Sequence, residues 1–401
     1  MFEIRPAGEA DREDLASALD LAFNLRRSAA DVQLERRLCA FDGDRAVASA
    51  RPIDYDQWFG GLRVPCTGVA AVAVLPEYRG QGVASLLLRS LLREEKARGR
   101  AVSALYPTAT ALYRSLGYEF GGLRLQFTAP VSDVPASRGS SEVRQMQPSD
   151  LGAVMECFSR FASAHNGPVQ SPDPDWWQDH VLSPKSHEDL PRAVVVPNGE
   201  KVAGYASYHL APWGPGGLGR SSYKVVCNHL VFEDARAQRA LLGYFRGFEN
   251  SAKELAWYGP PSTSPMALAI ASNGFSVKPE LTRWMTRVLD VPLALRARGY
   301  PHVSGEAVVE IDDAVFPENS GPWLVQADAG RASVRPVDAA TAERRQRAGK
   351  PLPVGLFSAL YTGFATPADL VVVGALDDDD ERVPFLSALF AGPVPWMPDF
   401  F

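Results

Sequence analysis

The sequence predicts an α+β fold in three units, residues 1–130, 141–287 and 288–401. Three observations predict it. A β-branched run, a glycine turn and a leucine helix follow one another between Val72 and Leu91. The pattern that opens the chain recurs after residue 141, marking a diverged internal repeat. From Val288 the pattern changes to a short helix, alternating strands and two further helices. Length agrees, since 401 residues exceed what one hydrophobic core organises.

In the first unit, Phe2 to Arg5 alternates as a strand, and Asp11 to Phe23 reads as a helix with Leu15, Leu19 and Phe23 at spacing four. Leu38 to Phe41 and Ala46 to Ile53 are strands joined by the hairpin turn Asp42-Gly43-Asp44. Val72 to Leu75 is a buried strand that Pro76, with no N–H to give a ladder, terminates. Arg79 to Ala84 is a tight turn. A helix follows from Val83, with Leu86, Leu87 and Leu91 on one face and Arg89, Arg93 and Glu94 on the other. Ala101 to Leu105 is a strand, Thr108 to Leu116 a short helix that Gly117 stops, and Tyr118 to Phe127 two short closing strands.

The turn after Pro76 carries the chemistry. Unpaired N–H groups at a helix start make an anion site, and Gly80, Gly82 and Ala84 let a phosphate approach the backbone. A Walker A loop needs Gly-Lys-Ser/Thr there, and Gly82-Val83-Ala84 lacks it. A dinucleotide fingerprint needs a third glycine where Ser85 stands. The pattern that fits is Arg/Gln-x-x-Gly-x-Gly/Ala, matched by Arg79, Gly82 and Ala84. It resembles the pyrophosphate loop of the GCN5-related N-acetyltransferases, which holds coenzyme A. The strand before it and the leucine helix after it fit the same family, as does the β-α-β-β-β-α-β-α-β order. The resemblance implies acetyl-CoA as cosubstrate, held by Val72, Ala73 and Val74 of the strand and by Arg79, Gly80, Gln81, Gly82, Val83 and Ala84 of the turn.

Ala129 to Ser141, rich in Pro, Ser and Gly, reads as a linker. Beyond it, Glu142-Val-Arg-Gln-Met and the following Asp-Leu-Gly to Phe158 parallel the chain's opening. Ala269-Ile-Ala-Ser-Asn-Gly-Phe275 parallels Leu112-Tyr-Arg-Ser-Leu-Gly-Tyr118. The central strand and helix recur over Asn228 to Leu242, but their turn, Glu233 to Gln238, has no glycine and carries two carboxylates. Those would repel a diphosphate, so this copy is expected to bind no coenzyme A. Gly214 to Gly219 reads as a hairpin loop.

In the third unit a short helix ends at Gly299, strands follow at Ala307–Ile311, Trp323–Ala327 and Ala332–Pro336, and helices at Val354–Tyr361 and Val383–Phe390. Asp377 to Glu381 reads as a solvated loop. Chain ends are usually polar and frayed. Trp396-Met-Pro-Asp-Phe-Phe401 is aromatic, and burial is expected.

A net charge of −6 argues against non-specific nucleic-acid binding and leaves room for a cationic substrate. Cys39, Cys66, Cys157 and Cys227 are far apart with no metal-ligand spacing, and read as reduced core thiols. Neither these nor the histidines, among them His209 and His229, suggest a metal. No signal peptide or membrane-spanning run is read, so a cytoplasmic protein is expected.

Two fused acetyltransferase-like units and a C-terminal α+β domain resemble the enhanced intracellular survival (Eis) family. The resemblance covers the whole chain. It rests on Val72 to Ala84, Leu112-Tyr113 with Gly117-Tyr118, Val291-Pro-Leu-Ala-Leu-Arg-Ala-Arg-Gly-Tyr300 and Phe401. It implies a third domain like sterol carrier proteins, a hexamer, and amine substrates such as polyamines, aminoglycosides or lysine side chains.

Acetyl transfer to an amine of pKa ~10.4 needs a base for its proton, an oxyanion donor, and an acid for the leaving thiolate. Tyr113 matches the family's acid, and its counterpart in the second copy is Ile270, so one copy alone retains it. The family's base is the C-terminal carboxylate, here that of Phe401. A carboxyl near ~3.5 is a weak base, and desolvation among Trp396, Phe400 and Phe401 would raise it. Phe23, Trp58, Phe59 and Phe400 are the substrate-side candidates, with core packing the alternative for Trp58 and Phe59. The family's aminoglycoside pocket has a carboxylate just after the aromatic matching Phe23. Here Asn24 follows, then Arg26 and Arg27, a departure that bears on aminoglycosides and not on amines as such. The competing function is a non-catalytic acyl-CoA or lipid binder, told apart by whether any amine is acetylated.

Overall fold

The structure, a computed structural model, describes residues 2–24, 28–137, 142–182, 192–212, 223–261, 265–270, 276–338, 340 and 350–401. Arg26, Arg27, Gly214 to Gly219 and the second-copy segment 271–275 lie outside the described residues.

The first unit comprises β1 (Glu3–Pro6), α1 (Arg12–Phe23), β2 (Leu38–Asp42), β3 (Arg45–Phe59), β4 (Leu62–Val74), α2 (Val83–Ala97), β5 (Val102–Leu105), α3 (Thr110–Arg114) and β6 (Glu119–Pro130). The second comprises β7 (Arg144–Gln145), α4 (Leu151–Ala162), β8 (Val169–Gln170), α5 (Pro174–Trp176), β9 (Arg192–Asn198), β10 (Lys201–Pro212), β11 (Tyr223–Phe232), α6 (Ala235–Arg246), β12 (Ala252–Tyr258), α7 (Pro265–Ala269) and β13 (Ser276–Val288).

The units share one sheet, in the order β1-β2-β3-β4-β5-β13-β6-β12-β11-β10-β9-β7. The expected pair of closing strands in the first unit is the single strand β6. The place beside β5 belongs to β13, which aligns Met285 with Leu105 and Val288 with Val102. Reciprocally, β6 pairs with β12, Glu254 opposite Pro130. Each unit thus gives its last strand to the other. Without the exchange β5 would present an open edge, which sheets avoid.

Helix α2 buries Val83, Leu87, Leu88, Leu91 and Leu92 against this sheet. Leu86, expected on that face, is 40% exposed. It lies five residues from Leu91, roughly 140° around a helix of 3.6 residues per turn, and so points to solvent.

The third unit begins with α8 (Val291–Ala297) and has strands β14 (Gly305–Asp312), β15 (Gly321–Asp328), β16 (Arg331–Pro336) and β17 (Leu352–Pro353), ordered β16-β15-β14-β17. Helices α9 (Val354–Thr362), α10 (Pro367–Val372) and α11 (Val383–Leu389) follow. Sequence reasoning passed over α10, although Thr366 and Asp369 form its capping box. In the charged run, Asp380 is not free in solvent: it takes both oxygens to the buried Arg382.

A buried ion pair and a close backbone approach help fix this unit to the sheet. Arg287 of β13 and Asp313, both fully buried, meet at 2.7 Å, and Asp313 also accepts from the Val315 and Phe316 amides. Gly299, just past the end of α8, also permits a close approach: a Cβ there would lie 1.9 Å from the Gly60 carbonyl oxygen.

The segment after α11 returns to the sheet. β12 accompanies β6 only as far as Tyr258 opposite Gln126. Beyond that point the row is continued by residues 395–397: Leu123 N–H donates to Pro395 and Met397 N–H donates to Leu123.

Candidate active site

The site begins where two strands part. β4 and β5 run parallel through Cys66–Val102, Thr67–Ser103 and Gly68–Ala104, and their pairing ends there. β4 continues to Val74 along β3 alone, with a bulge at Ala71, whose φ is +52°. From Val69 to Val74 its other edge therefore faces a gap with no strand in it among the described residues. Free backbone N–H groups on that edge suit an extended chain carrying carbonyls.

At the far end of the gap the chain turns into α2. Gly80 and Gly82 have φ of +77° and +78°, the left-handed region that glycine enters without strain. Arg79 Nε closes the turn by donating to the Val74 carbonyl at 3.2 Å. Among the described residues no side chain caps the start of α2, and no acid stands in its first turn, so its N–H groups and dipole are open to an anion. The second copy differs at this point. Asp234 caps α6 and accepts from the Ala237 N–H at 2.7 Å, putting a carboxylate where the first copy leaves an opening. The residues of the first copy fit a diphosphate, and those of the second do not.

Tyr113, on α3, is 3% exposed, packs edge-on to Tyr118 at 5.9 Å, and burial pushes its phenol above the usual range. Tyr118 shares a hydrogen bond of 2.7 Å with Ser103 inside the core.

Phe401 reaches the point where the strands part. A Cβ built on Gly68, the last β4 residue paired with β5, would lie 2.9 Å from Phe401 Cε2 and 2.5 Å from Tyr55 Cε2. The Phe401 ring is 5.0 Å from that of Tyr55 and 5.7 Å from that of Tyr106, and Trp176 donates to the Tyr55 hydroxyl at 3.1 Å. Tyr106 in turn donates to the Asp399 carbonyl at 2.6 Å, and Arg124 Nε to that of Pro398 at 2.7 Å. The Asp399 carboxylate is bonded to His229 through one oxygen; the other is buried with no hydrogen-bond partner among the described residues.

Residues 3–121 and 170–288 each match an acetyltransferase (GNAT) domain family, and residues 291–398 match a sterol carrier protein domain family. N-acetyltransferase Eis of Mycobacterium tuberculosis is 24% identical over 84% of this chain and 80% of its own. The chain belongs to the Eis-like GCN5-related N-acetyltransferases. An N-acetyltransferase of Streptomyces avermitilis is 26% identical over 92% of this chain and 90% of its own. The GCN5-related N-acetyltransferase of Kribbella flavida superposes with a TM-score of 0.85 at 29% identity, covering 100% of this chain and 98% of that one. Eis1 of Mycobacterium abscessus shares the fold, with a TM-score of 0.79 at 21% identity over 100% of both chains.

In this Eis-like enzyme, the residues expected to hold the cosubstrate form one continuous run from the gap-facing strand, Val72, Ala73 and Val74, to the turn Arg79–Ala84. Tyr113 and Phe401 come from α3 and the C-terminal segment. Phe23 is half-buried at the end of α1, where Asn24 turns left-handed at φ 52°. Trp58 and Phe59 lie in the core. Trp58 donates to Gln170 at 3.1 Å, and Phe59 packs on Tyr361 of the third unit at 5.5 Å. Of the aromatic segment, Trp396 and Met397 are buried as expected, whereas Phe400 is 61% exposed, its ring 4.5 Å from that of Tyr106. The aromatics against Phe401 are Tyr55 and Tyr106, with Trp176 packed on Tyr55, and sequence reasoning missed all three. Tyr106 directly follows the predicted strand Ala101–Leu105, a position that borders the gap and could have been flagged.

No helix among the described residues is long and apolar enough to cross a membrane. All four cysteines are unpaired and buried, and burial raises each thiol, that of Cys39 to about 12.

Proposed function

We propose that this N-acetyltransferase moves the acetyl group of acetyl-CoA to a primary amine by direct attack in the gap between β4 and β5. The observation that carries the reading is the Phe401 ring against Gly68, where the gap opens. Two further features support it: the uncapped glycine turn at α2, and the acid-capped counterpart at α6. When bound, the cosubstrate supplies an acetyl thioester with a thiolate leaving group. The turn Arg79–Ala84 takes the diphosphate, and N–H groups of Val72 and Val74 on the gap edge take the carbonyl-bearing arm.

Tyr113 is the general acid. Its raised phenol stays protonated at neutral pH and has a proton to give to the departing sulfur. The α-carboxylate of Phe401 is the general base that accepts the amine's proton. With Asp399 beside it, the pocket carries negative charge that suits a cationic acceptor, although Arg124 stands nearby. Tyr55, Tyr106 and Trp176 form the acceptor's wall with Phe401. Phe23 and Phe400 are proposed at its exposed rim, while Trp58 and Phe59 support the core behind it.

A thiol-release assay over polyamines, aminoglycosides and lysyl peptides tests this with wild type, Tyr113→Phe and deletion of Phe401. Both variants are expected to bind acetyl-CoA and to lose on the order of 10²-fold or more in turnover. An unchanged rate in either removes that residue from the mechanism. Appending residues after Phe401 converts the carboxylate to an amide and is expected to act like the deletion. The hexamer and cytoplasmic location implied by the family belong to the same proposal, checked by mass in solution and by fractionation.

A further inference from the structure

The second unit has lost its phosphate turn, yet its central strands keep the geometry of the first. β11 pairs with β12 through Cys227–Trp257 and then leaves it, as β4 leaves β5. A bulge follows there too, between the Tyr208–Cys227 and Ser207–His229 pairs. His229 is the side chain that this second parting of strands presents. Its ring is 3% exposed and held in plane by Phe158, stacked at 5.3 Å, and by Trp177, edge-on at 6.2 Å.

Both ring nitrogens are engaged. Nε2 lies 2.9 Å from Asp399 Oδ1 and Nδ1 lies 2.7 Å from the Tyr205 hydroxyl. A carboxylate can only accept, so Nε2 carries the proton, and in the neutral ring Nδ1 then accepts from the Tyr205 phenol. The result is a directional chain, Tyr205 to His229 to Asp399, ending two residues before Phe401. Tyr106 from the first unit holds the main chain of the same Asp399. Side chains of both units therefore converge on one residue of the C-terminal segment.

We propose that His229, oriented by Tyr205, is a positioning residue for catalysis, and that the second unit's parted strands have become the cradle of the C-terminal segment. The proposal rests on the reading of Phe401 as general base. His229 touches neither substrate nor cosubstrate. It sets the azimuth of Asp399 and so the place of the carboxylate two residues on. A displacement of about 1 Å in such a group costs on the order of 10²-fold in rate.

The test is a double-mutant cycle on the full-length enzyme with a thiol-release readout. His229→Ala is expected to lower kcat by about ten- to a hundred-fold, measured at a temperature where the variant is folded, with the KM for acetyl-CoA near wild type. His229→Gln, which keeps a donor near the Nε2 position, is expected to recover part of the rate, and Asp399→Asn to behave like His229→Ala. In the background lacking Phe401, His229→Ala is expected to have no further effect. An equal loss in that background, or an unchanged kcat in the intact one, overturns the proposal. If His229→Ala fails to fold, Tyr205→Phe, which removes one hydroxyl, carries the same cycle. An unchanged rate on deleting Phe401 overturns the terminal-base reading and this proposal with it. Loss on that deletion beside a normal His229→Ala overturns only the role of His229.

Discussion

The ring of Phe401 lies against Gly68, a contact between residues more than three hundred positions apart in sequence. Gly68 is also the last point at which β4 holds β5. The free space at Gly68 is what admits both Phe401 and Tyr55, because a methyl group there would fall 2.9 Å and 2.5 Å from their rings.

Gly68→Ala is therefore expected to expel Phe401 from the gap. Overpacking typically costs about 1–3 kcal/mol of stability. The kinetic loss should exceed what that destabilisation explains: turnover falls sharply at a temperature where the protein is still folded. Thermal melting and thiol release on the same preparation check this.

A carboxylate at the start of α2 should reproduce in the first copy the state of the second. Gly82→Asp tolerates the left-handed backbone better than most substitutions. A charge about 4 Å from a phosphate is worth roughly 1–4 kcal/mol at effective dielectrics between water and a protein surface, or about five- to a thousand-fold in affinity. Calorimetric titration with coenzyme A is expected to show that loss while the melt stays near wild type.

The pH profile should carry the mark of a buried tyrosine. Burial raises the Tyr113 pKa above its ordinary value of 10, so the acid form persists as pH rises through the range where the amine and base become competent. Turnover is expected to climb with pH and to show no decline from Tyr113 below about 10. The sign for stability is the same: a raised pKa favours the fold while the phenol is protonated, and that contribution disappears above the folded-state value. A falling limb near neutral pH that vanishes in Tyr113→Phe contradicts the raised pKa of this tyrosine.

The strand exchange predicts that residues 1–130 do not fold alone, because β5 loses β13 and β6 loses both neighbours. Circular dichroism of that fragment should show no cooperative melt. Coexpression with residues 131–401 should restore one, and an independently folded fragment would contradict the topology.

Sequence reasoning read the local parts well, and the reason is physical. The turn from Arg79 to Ala84, the helix behind it and the acidic replacement at Asp234 are encoded within a few residues, by glycine freedom, helix caps and charge. The seat of β13 beside β5 is not encoded locally. Either closing strand satisfies β5 by the same alternation, and which one sits there depends on the whole sheet. The aromatic wall was missed for a related cause: Tyr55, Tyr106 and Trp176 come from three segments, and only their pairing around Phe401 marks them. His229 suggested no metal from its sequence neighbours, and the partner that marks it, Asp399, lies 170 residues away.

The central claim is that the first copy alone takes the nucleotide and that Phe401 completes its pocket. A crystal structure with coenzyme A bound tests it most directly. The account predicts the diphosphate at Gly80 to Ala84, the thiol-bearing arm between β4 and β5, and the Phe401 carboxylate beside the sulfur. A nucleotide at the start of α6, or a Phe401 turned away from the gap, would contradict it.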